Sequence, residues 1–142
     1  MPVAKKHLCI KRSGIPKAGK GLFTKVQIPK GAVIAEYEGD ITTWKKVQQA
    51  NEFNGYVFYI NKNHVIDAKP YIKSVARYIN DAKGITRIDS LQNNSKYVNE
   101  DNRIFIQAIK NIPAGSEIFV SYKKDYWDVI RHNMKVELKE KK

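Results

Sequence analysis

The 142 residues carry 26 Lys and Arg against 14 Asp and Glu, a net charge of +12, with 42% apolar residues and one cysteine. Length and apolar content predict a single domain over 1–142 with one core, and no apolar stretch approaches the ~18 residues of a membrane span. Met1–His7 lacks the apolar run of a signal peptide, and lone Cys9 excludes a disulfide framework or a cysteine-built zinc cluster, so the expected setting is cytoplasmic or nuclear, not secreted.

In chain order, "HLCIKR" (7–12) reads as a strand. "KAGKGLF" (17–23) holds a Gly-x-Gly, read on its own as a hairpin bend, since it lacks the third glycine of a dinucleotide fingerprint and the Gly-Lys-Ser/Thr of a P-loop. "VQIPKGAVIAEYEG" (26–39) reads as strand, turn, strand, with Pro29 second and Gly31 fourth in a type I turn. "TTWKKVQQANE" (42–52) predicts a short surface helix with Trp44, Val47 and Ala50 on one face. Strands follow at 56–60 and 64–68.

"NDAKGITRIDSLQNN" (80–94) is a long polar loop, and loops of that length inside a compact domain are usually functional or disordered. Beyond it come strands at 96–98 and 103–109, then "IKNIPAGSEIFVSY" (109–122), which echoes 26–39. A shared turn solution and a duplication both explain the echo. Trp127, Ile130, Met134 and Leu138 recur at helical spacing, predicting a C-terminal helix over about 124–138. The whole reads as mainly β (α+β), without a βαβ rhythm.

Seven tyrosines, at 37, 56, 59, 78, 97, 122 and 126, with Trp127 beside them, can line a channel for a cation, or each can be a half-buried strand residue. Their order along the chain is more specific than any one of them. Gly19-Lys20-Gly21, Tyr37-Glu38-Gly39, "VIDA", Arg77-Tyr78-Ile79-Asn80 and "GSEIFVSYKKDYW" together resemble the SET-domain protein lysine methyltransferases over about 7–127. The "GSEIFVSYKKDYW" ending carries most of the likeness.

The resemblance implies a β-clip fold of several small sheets, with a C-terminal segment threaded under a loop as a pseudoknot. It implies S-adenosylmethionine as methyl donor, S-adenosylhomocysteine as product, and no metal. Lys20, Gly21 and Leu22 would meet the cofactor through backbone; Tyr56, Arg77 and Asn80 would hold its amino-acid end and adenosine; Trp127 would cover the adenine. Tyr122 matches the catalytic tyrosine, Tyr37 and Tyr97 the lysine channel, and Val120 a position that tunes how many methyl groups are added.

Two departures stand out. Asp81 replaces a family histidine, and the family's Asn-His-Ser-Cys-x-Pro-Asn is interrupted after Ala82 by an insertion that rejoins at Asn93-Asn94. The cysteine-rich flanking zinc modules are absent, so the channel would be closed by the C-terminal helix or by a second subunit in a homodimer.

The implied partner is a protein substrate carrying a lysine, such as a histone tail. A +12 enzyme repels a basic tail, so either Glu36, Glu38, Asp40, Glu52, Asp67 and Asp81 form an acidic groove, or the substrate is bound to nucleic acid. Eight Lys or Arg precede Glu36, the first acidic residue, which offers a basic surface for nucleic-acid contact, although a compositional bias explains it equally. Two further readings stay open: a catalytically inactive module of the same fold, and a basic nucleic-acid-binding β protein.

Overall fold

Nine short strands, one α-helix and two 3₁₀ turns make up the described residues of the computed structural model, 3–16, 18–50, 56–82 and 92–121. The strands are β1 (Leu8–Arg12), β2 (Lys20–Thr24), β3 (Val33–Glu36), β4 (Asp40–Thr42), β5 (Val57–Asn61), β6 (His64–Asp67), β7 (Ser95–Glu100), β8 (Arg103–Ala108) and β9 (Glu117–Ile118). The helix α1 spans Trp44–Ala50, and the 3₁₀ turns span Lys5–His7 and Val75–Tyr78. The C-terminal helix expected over 124–138 lies outside the described residues, as does the interior of the long loop.

One compact unit combines the residues up to Tyr37 with Val75–Ser121. It contains two antiparallel sheets, ordered β1-β2-β9 and β3-β8-β7. Their strands follow the two-residue period of a half-buried sheet: in β8, Ile104, Ile106 and Ala108 are buried while Arg103 is exposed and Phe105 and Gln107 are half-covered. Ile28, Ile34, Ile112, Ile118, Leu22 and Val120 complete a dry aliphatic core. The β7–β8 hairpin turns through Asp101 and Asn102, both at positive φ (52° and 66°), a conformation that Asp and Asn tolerate better than most residues.

The sequence echo has a structural counterpart. Ile28 and Ile112 exchange backbone hydrogen bonds with each other at 2.8 Å in both directions. Gly31 N–H donates to Ala108 O and Ala108 N–H to Ala32 O, just as Gly115 N–H donates to Thr24 O and Thr24 N–H to Ser116 O. The segments 24–32 and 108–116 are therefore related by a local two-fold axis through the Ile28–Ile112 pair. The expected turn is displaced by one residue, because the closing bonds run from Ala32 N–H to Pro29 O and from Ser116 N–H to Pro113 O. Each glycine thus stands third, at φ +91° and +86°, where a side chain would be strained. The Gly-x-Gly departs from expectation as well: Gly21 lies inside β2, and only Gly19 takes a turn conformation, at φ +73°.

The described residues of the second unit lie within Glu38–Ser74. Its sheet runs β4-β6-β5; β4, too short to show alternation, is not legible in the sequence. Thr43 caps α1, its carbonyl accepting from Val47 N–H and its Oγ1 from Lys46 N–H. Trp44 and Val47 pack on buried Val57 and Val65, whereas Ala50, expected on the same face, is exposed. Gly39 is required by close crossing, since a Cβ there would stand 2.5 Å from the Asp67 carbonyl oxygen.

Candidate active site

In the first unit, the segment that begins with β9 runs between the two ends of the long loop. Val120 N–H donates to Asn80 O on one side, while Asn94 and Ser95 N–H both donate to Phe119 O on the other. Side chains reinforce the passage. Asn94 accepts from Phe119 N–H (2.9 Å) and donates to Glu117 O (3.0 Å), and Ser95 Oγ donates to Phe119 O (2.7 Å). The loop's ends are clamped to each other where Asn93 accepts from Ala82 N–H (2.8 Å) and donates to Asp81 (3.0 Å). Buried Asp81, in place of the family histidine, thus serves the clamp, and Phe119 packs with Ile15 and Ala82 beneath it. This is the threading that the resemblance implies.

The first unit carries most of the expected site residues, and Lys20, Asn80 and Val120 meet at this crossing. β9 pairs only with Leu22 and Phe23, so the backbone of Lys20 and Gly21 extends past its end. There the Asn80 amide donates to Lys20 O at 3.0 Å. Leu22, by contrast, is flanked by Ile10 and Ile118, and its side chain is fully buried. Arg77 sits on the 3₁₀ turn packed against β1 and β2, its guanidinium 5.2 Å from the Tyr78 ring centre. Tyr37 and Tyr97 meet edge to face, ring centres 6.4 Å apart at 85°, each 7% exposed. Val120 is fully buried. Tyr56 precedes β5 in the second unit; Tyr122 and Trp127 lie outside the described residues.

Sequence reasoning missed the residue that links these pieces. Glu117, 8% exposed, accepts from Ser13 Oγ (2.7 Å) and Gly14 N–H (2.9 Å), with the Asn80 amide at 3.5 Å. Its carboxylate fills the space a Cβ on Gly21 would need. An acid at the head of the apolar run "EIFV" was the available signal.

The acids expected to form a groove are divided between the two units, Glu36 and Asp81 on the first and Glu38, Asp40 and Asp67 on the second. Glu36 holds Arg103 through two hydrogen bonds (2.7 and 3.1 Å), and Asp81 belongs to the clamp. In the second unit Asp67 accepts from Lys69 N–H, and Asp40 bonds Tyr71, raising the pKa of that phenol mainly by charge repulsion. Glu52 lies outside the described residues.

The SET domain family model matches residues 19–123, most of the chain. The chain belongs to the SET-domain family. Within curated SET proteins it is 30% identical over 132 residues to the histone-lysine N-methyltransferase EZH2 of Chaetomium thermophilum, covering 84% of this chain and 8% of that protein. It is 34% identical over 121 residues to the histone-lysine N-methyltransferase mes-4 of Caenorhabditis elegans, covering 73% of this chain and 13% of that protein. The chain thus spans a small fraction of the curated relatives it matches. Its fold matches the methyltransferase domain of human PR domain-containing protein 2 with a TM-score of 0.60 and 24% identity, over 82% of this chain and 77% of that one. Among the described residues no group of His, Cys, Asp or Glu is arranged to hold a metal ion, and no helix is long and apolar enough to cross a membrane.

The residues present suit S-adenosylmethionine. Beside Gly19 the space where a Cβ would stand is open, so a ligand can approach the main chain there. Arg77 brings a cation for a carboxylate and Asn80 an amide, both on the first unit.

Proposed function

We propose that this SET domain is an S-adenosylmethionine-dependent protein lysine N-methyltransferase acting on a basic protein bound to nucleic acid, as histones are. The passage of Glu117–Val120 between Asn80 and Ser95 carries this reading, because it brings the Lys20 backbone, Asn80 and Val120 into one neighbourhood of a SET-family chain. The names of the relatives support the same chemistry.

When bound, S-adenosylmethionine supplies a methyl group on a sulfonium. Lys20 and Gly21 would meet it through backbone, with Arg77 and Asn80 at its amino-acid end; Leu22, Tyr56 and Trp127 are assigned by family likeness alone. A lysine ammonium, with a reference pKa of ~10.4, must lose a proton before its nitrogen can attack. Tyr37 and Tyr97 would wall the channel, excluding water and so lowering that pKa. The Tyr122 hydroxyl would orient the amine. Holding nucleophile and methyl in line at ~3–3.5 Å lowers the barrier by several kcal/mol. Val120 would leave more room near the nitrogen than a Phe or Tyr there, unless Tyr97 fills it, and the two together would set how many methyl groups are added.

Charge supports this substrate class. Lys5, Lys6, Lys11, Arg12, Lys20 and Lys25 are all exposed along the first hairpin and its approach, and no acidic residue precedes Glu36. A field of that sign repels a free basic tail and attracts the polyanion that carries it. Such a substrate points to work on chromatin or a similar nucleoprotein.

Labelled S-adenosylmethionine with free histones, nucleosomes and cell extract, beside a Tyr122→Phe variant, tests this. Label should enter lysine, favour the nucleic-acid-bound substrate at low salt, and fall sharply in the variant. Cofactor binding without transfer to any substrate would favour the inactive module; salt-sensitive nucleic-acid binding with no cofactor affinity would favour the nucleic-acid-binding protein.

A further inference from the structure

Glu117 sits at a junction of three chain segments that the mechanism above does not explain. Its carboxylate is buried, takes donors from Ser13 Oγ and Gly14 N–H, lies against the α-carbon of Gly21, and approaches Asn80 Nδ2 at 3.5 Å. Ser13 is fixed in turn, because its Oγ accepts from Ile15 N–H and its N–H donates to Gly19 O, which closes the base of the β1–β2 loop. Asn80 Nδ2 therefore faces two acceptors, Lys20 O at 3.0 Å and the Glu117 carboxylate.

An amide held that way cannot turn over without pressing its oxygen against a carbonyl and a carboxylate. Its Oδ1 then faces away from those two acceptors, and among the described residues it takes part in no hydrogen bond seen here.

We propose that Glu117 is a positioning residue for the cofactor site: it locks the Asn80 amide so that Oδ1 is offered as an acceptor to a ligand ammonium group. This rests on the proposed function, which places the amino-acid end of S-adenosylmethionine beside Asn80. A carboxylate suits the task, since all the groups around it are donors. An isosteric amide at 117 would keep the volume, turn one N–H toward a donor, and release the Asn80 amide to rotate.

The test is calorimetric binding of S-adenosylhomocysteine and of its analogue lacking the α-amino group, with Glu117→Gln beside wild type and thermal unfolding as a control. The expected result is at least a tenfold weaker Kd for S-adenosylhomocysteine in the variant and less than a twofold change for the deaminated analogue. Equal losses for both ligands, or no loss, would overturn the proposal, because a general distortion of the site does not distinguish them. Should Glu117→Gln fail to fold, Ser13→Ala, which frees one side of the carboxylate, decides by the same comparison with a smaller selective loss. If wild type binds neither ligand, the functional reading itself fails, and this proposal with it.

Discussion

The Tyr37 and Tyr97 rings meet edge to face at 6.4 Å although 60 positions separate them in the chain, because β8 lies between the strands that carry or precede them. Such a pair contributes about 0.5–1.5 kcal/mol beyond its buried area. A double-mutant cycle of Tyr37→Leu and Tyr97→Leu, followed by urea unfolding, should return a coupling in that range. Lysine methylation should fall in both single variants, with the rise in substrate KM exceeding any change in cofactor affinity.

Gly21→Ala drives a methyl group into the Glu117 carboxylate, which is held by Ser13 and Gly14 and has little room to yield. Overpacking of this kind costs roughly 1–3 kcal/mol. Gly19→Ala meets no neighbour but keeps φ at +73°, so its cost is backbone strain of about 1–2 kcal/mol. Urea midpoints compare the two stabilities, and cofactor titration should show the larger loss for Gly21→Ala.

Asn93→Ala removes both halves of the loop clamp, leaving the Ala82 N–H and the Asp81 carboxylate without that partner. A loss of about 1–3 kcal/mol is expected on unfolding. Hydrogen exchange should speed at Ala82 and at Val120, whose N–H bonds to Asn80 O next to the clamp.

Tyr71 titrates above the ordinary phenol value because ionisation would place its charge beside Asp40, which also accepts its hydroxyl, with Glu38 adding repulsion. A pKa raised on folding means that the folded state retains the proton more strongly. The linked stability is present below the unfolded value of about 10 and is lost as pH rises through the folded one. Asp40→Asn should return Tyr71 toward the ordinary value, as followed by ring chemical shifts assigned with Tyr71→Phe.

Strands with clear alternation were legible in the sequence to within a residue or two, as at 103–109 against observed Arg103–Ala108. The helix was legible from Thr43 and its apolar face, though Ala50 adds nothing to that face, because Trp44 and Val47 already cover Val57 and Val65. Family likeness names Asn80, Arg77, Tyr37 and Tyr97 as candidates, and among these the structure joins Tyr37 to Tyr97 and ties Asn80 to Lys20. What stayed hidden was pairing between distant segments. No local pattern tells that Glu117 will close on Ser13 or that Asn93 will bridge back to Asp81. The turn register was misread because Pro suits more than one turn position, and only the bond from Ala32 to Pro29 decides among them.

The two-fold arrangement around Ile28 and Ile112 also governs how the chain can acquire its structure. Each three-stranded sheet of the first unit draws two strands from one half and the third from the other: β9 joins β1 and β2, and β3 joins β8 and β7. Neither half can complete either of these two sheets alone, so on the ribosome the first hairpin must wait, with an open edge, until residue 118 has emerged. Folding should be slow and all-or-none for a domain of this size. By the same token, a backbone break between Ala82 and Gln92 would divide the chain into two pieces that are each incomplete yet complementary, able to regain activity only by exchanging strands.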